Sequence, residues 1–222
     1  MTSQNHLLRR IEGALRYPAR IAAELVEFTD LIDTETSNDF YLPLIQKLIQ
    51  VRLSQMNGAL FAFTSFARGE GVSYVIGNIA SELLRHSGES ILVATAESLN
   101  GLEPSLFENA EEQTSGAAKV WRLARTHPDT QLDLAPIHPE GLQRLRKQFG
   151  YVLVDCPPLR ESAGVFSIAP GAEGVVLVVA AGAKRGQIEQ AQSALKSSSC
   201  NILGLVLNKR TEPVPKLISK FL

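Results

Sequence analysis

The chain has 222 residues, which is room for one α/β domain with a sizeable core and too little for two large ones. Hydrophobic residues make up 45% and charged residues 20%, the balance of an ordinary soluble globular protein. The net charge is -1, which argues against nucleic acid as the main ligand. Cys156 and Cys200 cannot form a disulfide framework, and nothing beside them has zinc-ligand spacing. The opening MTSQNHLLRR lacks the apolar centre of a signal peptide, and the longest apolar run, Val175 to Ala183, is far short of a membrane span. The expectation is a cytoplasmic protein.

Leu7, Leu8, Ile11 and Leu15 lie at helical spacing and predict an amphipathic helix over residues 5–16, with Pro18 ending or restarting it. Ile21, Ala22, Leu25, Val26 and Phe28 give a second apolar stripe, also read as a helix. Charge separates here. Arg9, Arg10, Arg16 and Arg20 precede an acidic stretch containing Glu24, Glu27, Asp30, Asp33, Glu35 and Asp39. Residues 1–40 are therefore read as a helical arm and 41–222 as the main domain. The arm either packs on the domain or docks a partner, and amphipathic helices mostly pack.

From Leu60 onward, strands and helices alternate. Ala59 to Thr64, Ile91 to Thr95, Tyr151 to Asp155, Gly174 to Ala180 and Asn201 to Asn208 read as buried strands. Weaker strand signals surround Val120 and Leu132 to Ile137. Helices are expected around Val75 to Leu84 (closed by Gly88), over Pro139 to Gln148, over Gln187 to Lys196, and over Lys216 to Leu222. Residues 97–116 read as a loop with short helical pieces. Near-continuous apolar strands between helices predict an α/β fold, a mainly parallel sheet with helices on both faces.

Ligands of such folds bind at the carboxyl ends of the strands. The first of those ends reads Ser65-Phe66-Ala67-Arg68-Gly69-Glu70-Gly71-Val72-Ser73. A P-loop wraps phosphates in the N–H groups of a glycine-rich turn, meets them with a lysine and offers a hydroxyl to Mg²⁺. Gly69, Gly71 and Ser73 are present, and Val72 stands at the lysine position.

Taken with its surroundings, the segment resembles the cytoplasmic domain of the bacterial tyrosine kinases, relatives of the MinD and ParA ATPases in the P-loop superfamily. Thr64-Ser65, Gly69-Glu70-Gly71 and Ser73 resemble that family's first motif. Val152 to Pro158 resembles its VIIDTPP strand end, Ile168 to Val179 its LAPxADGVLLVV segment, and Gly204 to Asn208 its GVVLN ending. The resemblance runs from about Leu60 to Lys209. It implies a P-loop NTPase-like fold, ATP and Mg²⁺ as ligands, and work with a polysaccharide co-polymerase in capsule or exopolysaccharide assembly.

The departures follow the chemistry. Beside Val72, the family's second-strand aspartates fall on Thr95 and Glu97, and a further one on Gly164. The tyrosine-rich tail is missing, and no Glu-x-x-Arg-x-x-Arg assembly helix precedes Leu60. Phosphoryl transfer is mostly positioning and charge neutralisation. A charged hydrogen bond contributes about 1.5–3 kcal/mol, and each 1.36 kcal/mol of barrier is about tenfold in rate. The expectation is a pseudokinase or scaffold whose vestigial nucleotide site is Gly69, Glu70, Gly71, Ser73 and Asn208. Glu97 and Asp155 are vestigial catalytic acids, and Ser73 and Asp155 are metal ligands only if Mg²⁺ binds.

The alternatives are an active ATPase or kinase with a variant loop, and a MinD-like or ParA-like nucleotide switch. Each residue also has a plain structural reading. Ser73 is expected to cap its helix, and Asp155 to be a buried carboxylate satisfied by loop N–H groups. Arg68 is either a solvated turn residue or a substitute for the lysine. Expected partners are a membrane-embedded co-polymerase, an active homologue or a second copy of the chain, with no nucleic acid. Contact with the inner membrane would come through a partner.

Overall fold

In the computed structural model the described residues are 23–27, 39–99, 117–125 and 139–209. They form a seven-stranded sheet: β1 (Ala23–Glu27), β2 (Ala59–Ser65), β3 (Ile91–Thr95), β4 (Val120–Arg125), β5 (Tyr151–Asp155), β6 (Gly174–Ala180) and β7 (Ile202–Asn208). The helices are α1 (Leu42–Leu53), α2 (Val72–Ser87), α3 (Ala96–Leu99), α4 (Pro139–Gln148), α5 (Gly164–Ile168) and α6 (Arg185–Ser197). The strand order is β1-β4-β3-β5-β2-β6-β7, and all pairings are parallel except that of β1 with β4. This is the α/β fold that the alternating pattern predicts, a mainly parallel sheet with helices on both faces, and it fits the P-loop NTPase-like fold that the resemblance implies.

The sheet is apolar on both faces because each central strand supplies both. Leu60, Ala62, Leu92, Ala94, Val152, Val154, Leu177 and Val179 face one core with Leu145, Ile168, Ala191 and Leu195 of α4, α5 and α6. Phe61, Phe63, Ile91, Val93, Leu153, Val176 and Val178 face a second core with Ile45 and Leu48 of α1 and Val75, Ile76, Ile79 and Leu83 of α2. Burying one such side chain fully stabilises by about 1.5–3 kcal/mol, so both layers are needed to hold the site in place.

Two parts of the fold differ from the sequence reading. The stripe around Leu25 and Val26, read as a helix, contains strand β1, in antiparallel register Leu25↔Leu123 with β4. Its backbone closes the ladder of β4 that would otherwise be an open sheet edge, and that outweighs the helical spacing of the apolar residues. Helix α1 was not foreseen. It starts with Pro43 in its first turn, which is tolerated there, and buries Ile45 and Leu48. The readings for residues 5–16, for Leu132 to Ile137 and for Lys216 to Leu222 lie outside the described residues.

At the far edge, the β6–β7 register slips between Val175↔Ile202 and Val176↔Gly204, so Leu203 is an extra residue on β7. Leu203 and Val206 consequently both join the α2-side core, while Leu205 and Leu207 turn outward.

Candidate functional site

Strands β2, β5 and β3 end side by side, in register Phe63↔Asp155 and Thr95↔Asp155. The segment Ser65 to Gly71 leaves β2 and enters α2, whose first residue is Val72. Gly69 and Gly71 have φ of 80° and 92°, the left-handed region that favours glycine. A Cβ on Gly71 would stand 2.1 Å from Asn208 Nδ2, whereas one on Gly69 would meet nothing within 4 Å.

Glu70 fastens this loop from inside. It is 7% exposed, and its Oε2 accepts the N–H groups of Phe66 at 2.8 Å and Ala67 at 3.1 Å. Its Oε1 accepts from Ala180 N–H at 3.4 Å, at the end of β6. Asn208 Nδ2 donates to the Glu70 carbonyl at 2.9 Å. The loop is also tied to the segment after β5. Thr64 Oγ1 donates to Pro157 O at 2.9 Å, Leu159 N–H to Ser65 O at 2.9 Å, and Arg160 N–H to Phe66 O at 3.2 Å. The result is a shaped turn with glycines where the backbone requires them, beside an open cavity of about 250 Å³ lined by Arg68 to Tyr74, Asp155 and Pro157.

Val72 is part of that cavity wall and is 9% exposed. The wall therefore presents a branched hydrocarbon at the position that the sequence reading assigns to the lysine of a P-loop. Arg68 also lines the cavity, but its guanidinium lies 3.3 Å from Glu161, on an exposed part of the loop.

Ser73 corrects the sequence reading. Gly71 stands at the N-cap of α2 with no side-chain cap bond, and the Ser73 hydroxyl instead donates to Asp155 Oδ2 at 2.5 Å. Asp155 in turn is held by that hydroxyl, where loop N–H groups were expected. The N–H of the next residue, Cys156, bonds back to Phe63 O. Burial pushes the Asp155 carboxyl above its usual range. Ser73 opposes the shift, Glu97 adds to it, and Arg122 opposes it. Cys156 is buried, and its thiol is pushed well up by burial and by the neighbouring Asp155 and Glu97.

Thr95 is occupied with local structure. Its Oγ1 accepts the N–H of Ser98 at 3.1 Å, and Ser98 Oγ donates to Thr95 O at 2.9 Å, so Thr95 caps α3. Glu97 sits in the first turn of α3. Gly164 opens α5, and a Cβ there would stand 2.9 Å from Pro157 Cγ.

Arg122 was missed by the sequence reading. It lines a hollow of about 40 Å³ together with Ser73, Thr95 and Asp155. The signal was available in the alternation of β4: Val120 and Arg122 share a face, and Val120 belongs to the α2-side core.

The fit of Mg²⁺ can be judged on these donors. Ser73 and Asp155 are bonded to each other, Thr95 Oγ1 serves a backbone N–H, and a guanidinium shares the hollow. Among the described residues no group of three His, Cys, Asp or Glu side chains comes together. Magnesium keeps several waters and takes one or two protein oxygens beside the substrate phosphates. Ser73 and Asp155 are the two that would hold it.

Comparison with known proteins agrees with the geometry. No family model matches the chain. It is 24% identical over 189 residues to the tyrosine-protein kinase CpsD of Streptococcus agalactiae, covering 74% of this chain and 81% of the relative. It is 26% identical over 184 residues to CpsD of Streptococcus pneumoniae serotype 4, covering 72% and 79%. Bacterial tyrosine kinase relatives thus match along most of the chain, in the fold the strand order shows. The chain is a relative of the bacterial tyrosine kinases.

Among solved kinase domains of this group, that of VpsO superposes with a TM-score of 0.60 at 18% identity, covering 95% of this chain and 100% of that one. The BceF tyrosine kinase domain gives 0.55 at 22%, covering 74% of each. These likenesses establish the shared fold. At its strand ends this chain carries Val72, the capping Thr95, Gly164 and Arg122. Among the described residues no helix is long and apolar enough to cross a membrane.

Proposed function

We propose that this kinase relative is catalytically impaired and works as a pseudokinase or scaffold in bacterial exopolysaccharide or capsule assembly. It would act on a membrane-embedded polysaccharide co-polymerase or on an active homologue. The observation that carries the reading is Val72 in the cavity wall, in a loop whose backbone form is otherwise kept. A polyphosphate beside Val72 loses a charged contact of about 1.5–3 kcal/mol. The rest of the cradle, Gly69 to Gly71 with Ser73, Glu70 and Asn208, retains its shape and would hold the nucleotide if one binds. ATP supplies a transferable phosphoryl group when bound. This chain's own residues can orient it, but the positions that would neutralise its charge are a hydrocarbon and a capping hydroxyl.

The pathway assignment rests on the tyrosine kinase relatives and on the sequence resemblance to the kinases of polysaccharide export. The test pairs turnover with association. Purified protein given Mg²⁺ and ATP should release phosphate no faster than its Asp155→Ala variant, while co-purifying with the cytosolic segment of the co-polymerase or with the active kinase. Turnover that depends on Ser73 and Asp155 would reject impairment and favour the active-enzyme reading. Failure to associate with either partner would reject the scaffold role.

A further inference from the structure

We propose that the outer face of β7 is the seat of this chain's own C-terminal segment, residues 216–222, which lies against Leu205 and Leu207 beside α6. The two edges of the sheet are guarded differently. β1 carries Glu24 and Glu27, whereas Ile202–Asn208 holds no charged residue and no proline. Charges and prolines are common means by which an edge strand avoids pairing with other chains. An edge without them calls for a cover.

The register shows where that cover goes. Leu205 pairs with Leu177 of β6, and Leu207 pairs with Val179. Leu177 and Val179 are buried in the core that α6 shares. Val206 faces the opposite core, so residues 205 and 207 continue the layer on the α6 side. Leu205 and Leu207 are nevertheless 43% and 40% exposed. The apolar layer therefore runs one strand further than the helix that covers it. Strands lie about 4.8 Å apart and packed helices about 8–10 Å apart, so a helix set beside α6 would cover this edge.

The sequence after β7 has the length and the pattern for that place. Lys209 takes a φ of 57°, which turns the chain out of the strand direction. Residues 210–215, with Pro213 and Pro215, make a connection within the usual length of about 2–6 residues. Leu217, Ile218, Phe221 and Leu222 stand at helical spacing and would share one side of a helix, with Lys216 and Lys220 on the other. Four helical residues rise about 6 Å from Leu217 to Phe221, and Leu205 and Leu207 are about 7 Å apart along their strand. A short tether also keeps the segment at an effective concentration in the millimolar range, which favours it over a second copy of the chain.

The experiment is a double-mutant cycle on the full chain, read by thermal unfolding, with Leu207→Ser, Phe221→Ser and the pair. Leu207 is exposed, so its replacement leaves the core intact. Phe221→Ser should lower the midpoint by about 2–4 °C, and Phe221→Leu should keep most of the parent value. The pair should lose no more than the larger single loss, because either change alone already removes the contact. The proposal is overturned by an unchanged midpoint in Phe221→Ser, by an equal loss in Phe221→Leu, or by losses that add in the pair. It is also overturned, in favour of a second copy, by a parent that elutes as a dimer in size-exclusion chromatography and becomes a monomer in Leu207→Ser but not in Phe221→Ser.

Discussion

The side-chain amide of Asn208 holds the carbonyl of Glu70 at 2.9 Å, and the space it fills is the space a Cβ on Gly71 would need. The last strand thereby fixes the shape of the first loop. Two glycines of that loop share a left-handed backbone, but only Gly71 is also crowded. The left-handed region costs a non-glycine residue about 1–2 kcal/mol. Gly69→Ala should therefore lose about that much in urea unfolding. Gly71→Ala should lose clearly more, because Asn208 must also move and give up its bond. Equal losses would show that the contact with Asn208 does not constrain the loop.

Restoring the lysine alone should separate binding from turnover. Val72→Lys puts an ammonium in the cavity wall and should tighten ATP binding by about tenfold or more. Phosphate release should stay at background, because Thr95 still caps α3 and offers no carboxylate. Thr95→Asp is the natural second step, since aspartate is as good a cap as threonine and need not unfold the turn. Gly164→Asp is a poor third step: its Cβ would press on the Pro157 ring at 2.9 Å. Robust turnover in Val72→Lys alone would mean that the other departures matter little.

The fold was readable where burial imposes the pattern. Strands β2, β3, β5 and β6 are buried on both faces and β7 is apolar along its length, so each stands out as a short unbroken run between turns. Helix α2 announces itself through Val75, Ile76, Ile79 and Leu83, and Gly88 ends it in the left-handed conformation, donating to Leu84 O at 3.0 Å. What was not readable depends on neighbours. Strand β1 is a strand because β4 needs a partner, and its own residues also suit a helix. Ser73 looks like a cap until the fold brings Asp155 to it from 82 residues away. Arg122 carries no motif, and its meaning comes only from sharing a hollow with Asp155.

The place of β1 changes where the chain can be cut. A truncation at residue 40 removes Ala23–Glu27 with the arm and exposes the N–H and C=O groups of β4 along that edge. Such edges invite pairing with other chains. Deleting residues 1–40 should therefore lower the thermal midpoint and promote aggregation in size-exclusion chromatography. Deleting residues 1–22 keeps β1 and should avoid both effects. Both truncations test the arm as a docking element, but only the shorter one does so without disturbing the sheet. Identical midpoints for the two truncations would mean that β1 contributes nothing to the domain.

The Asp155 carboxyl also sets a pH dependence whose direction follows from its burial. Its pKa in the folded chain is raised above the usual 3.8, so the folded state holds more protons than the unfolded one in the interval between the two values. Stability attributable to this group therefore falls as pH rises through that interval, and the ionised carboxylate is a net burden at pH 7. Asp155→Asn keeps an oxygen to accept from the Ser73 hydroxyl and removes the ionisation. The variant should unfold at a higher temperature than the parent at pH 7. The gap should close below pH 3.8, where the parent carboxyl is protonated in both states. A variant less stable than the parent at pH 7 would show that the bond of Asp155 with Ser73 and the nearby charge of Arg122 outweigh the burial of its charge.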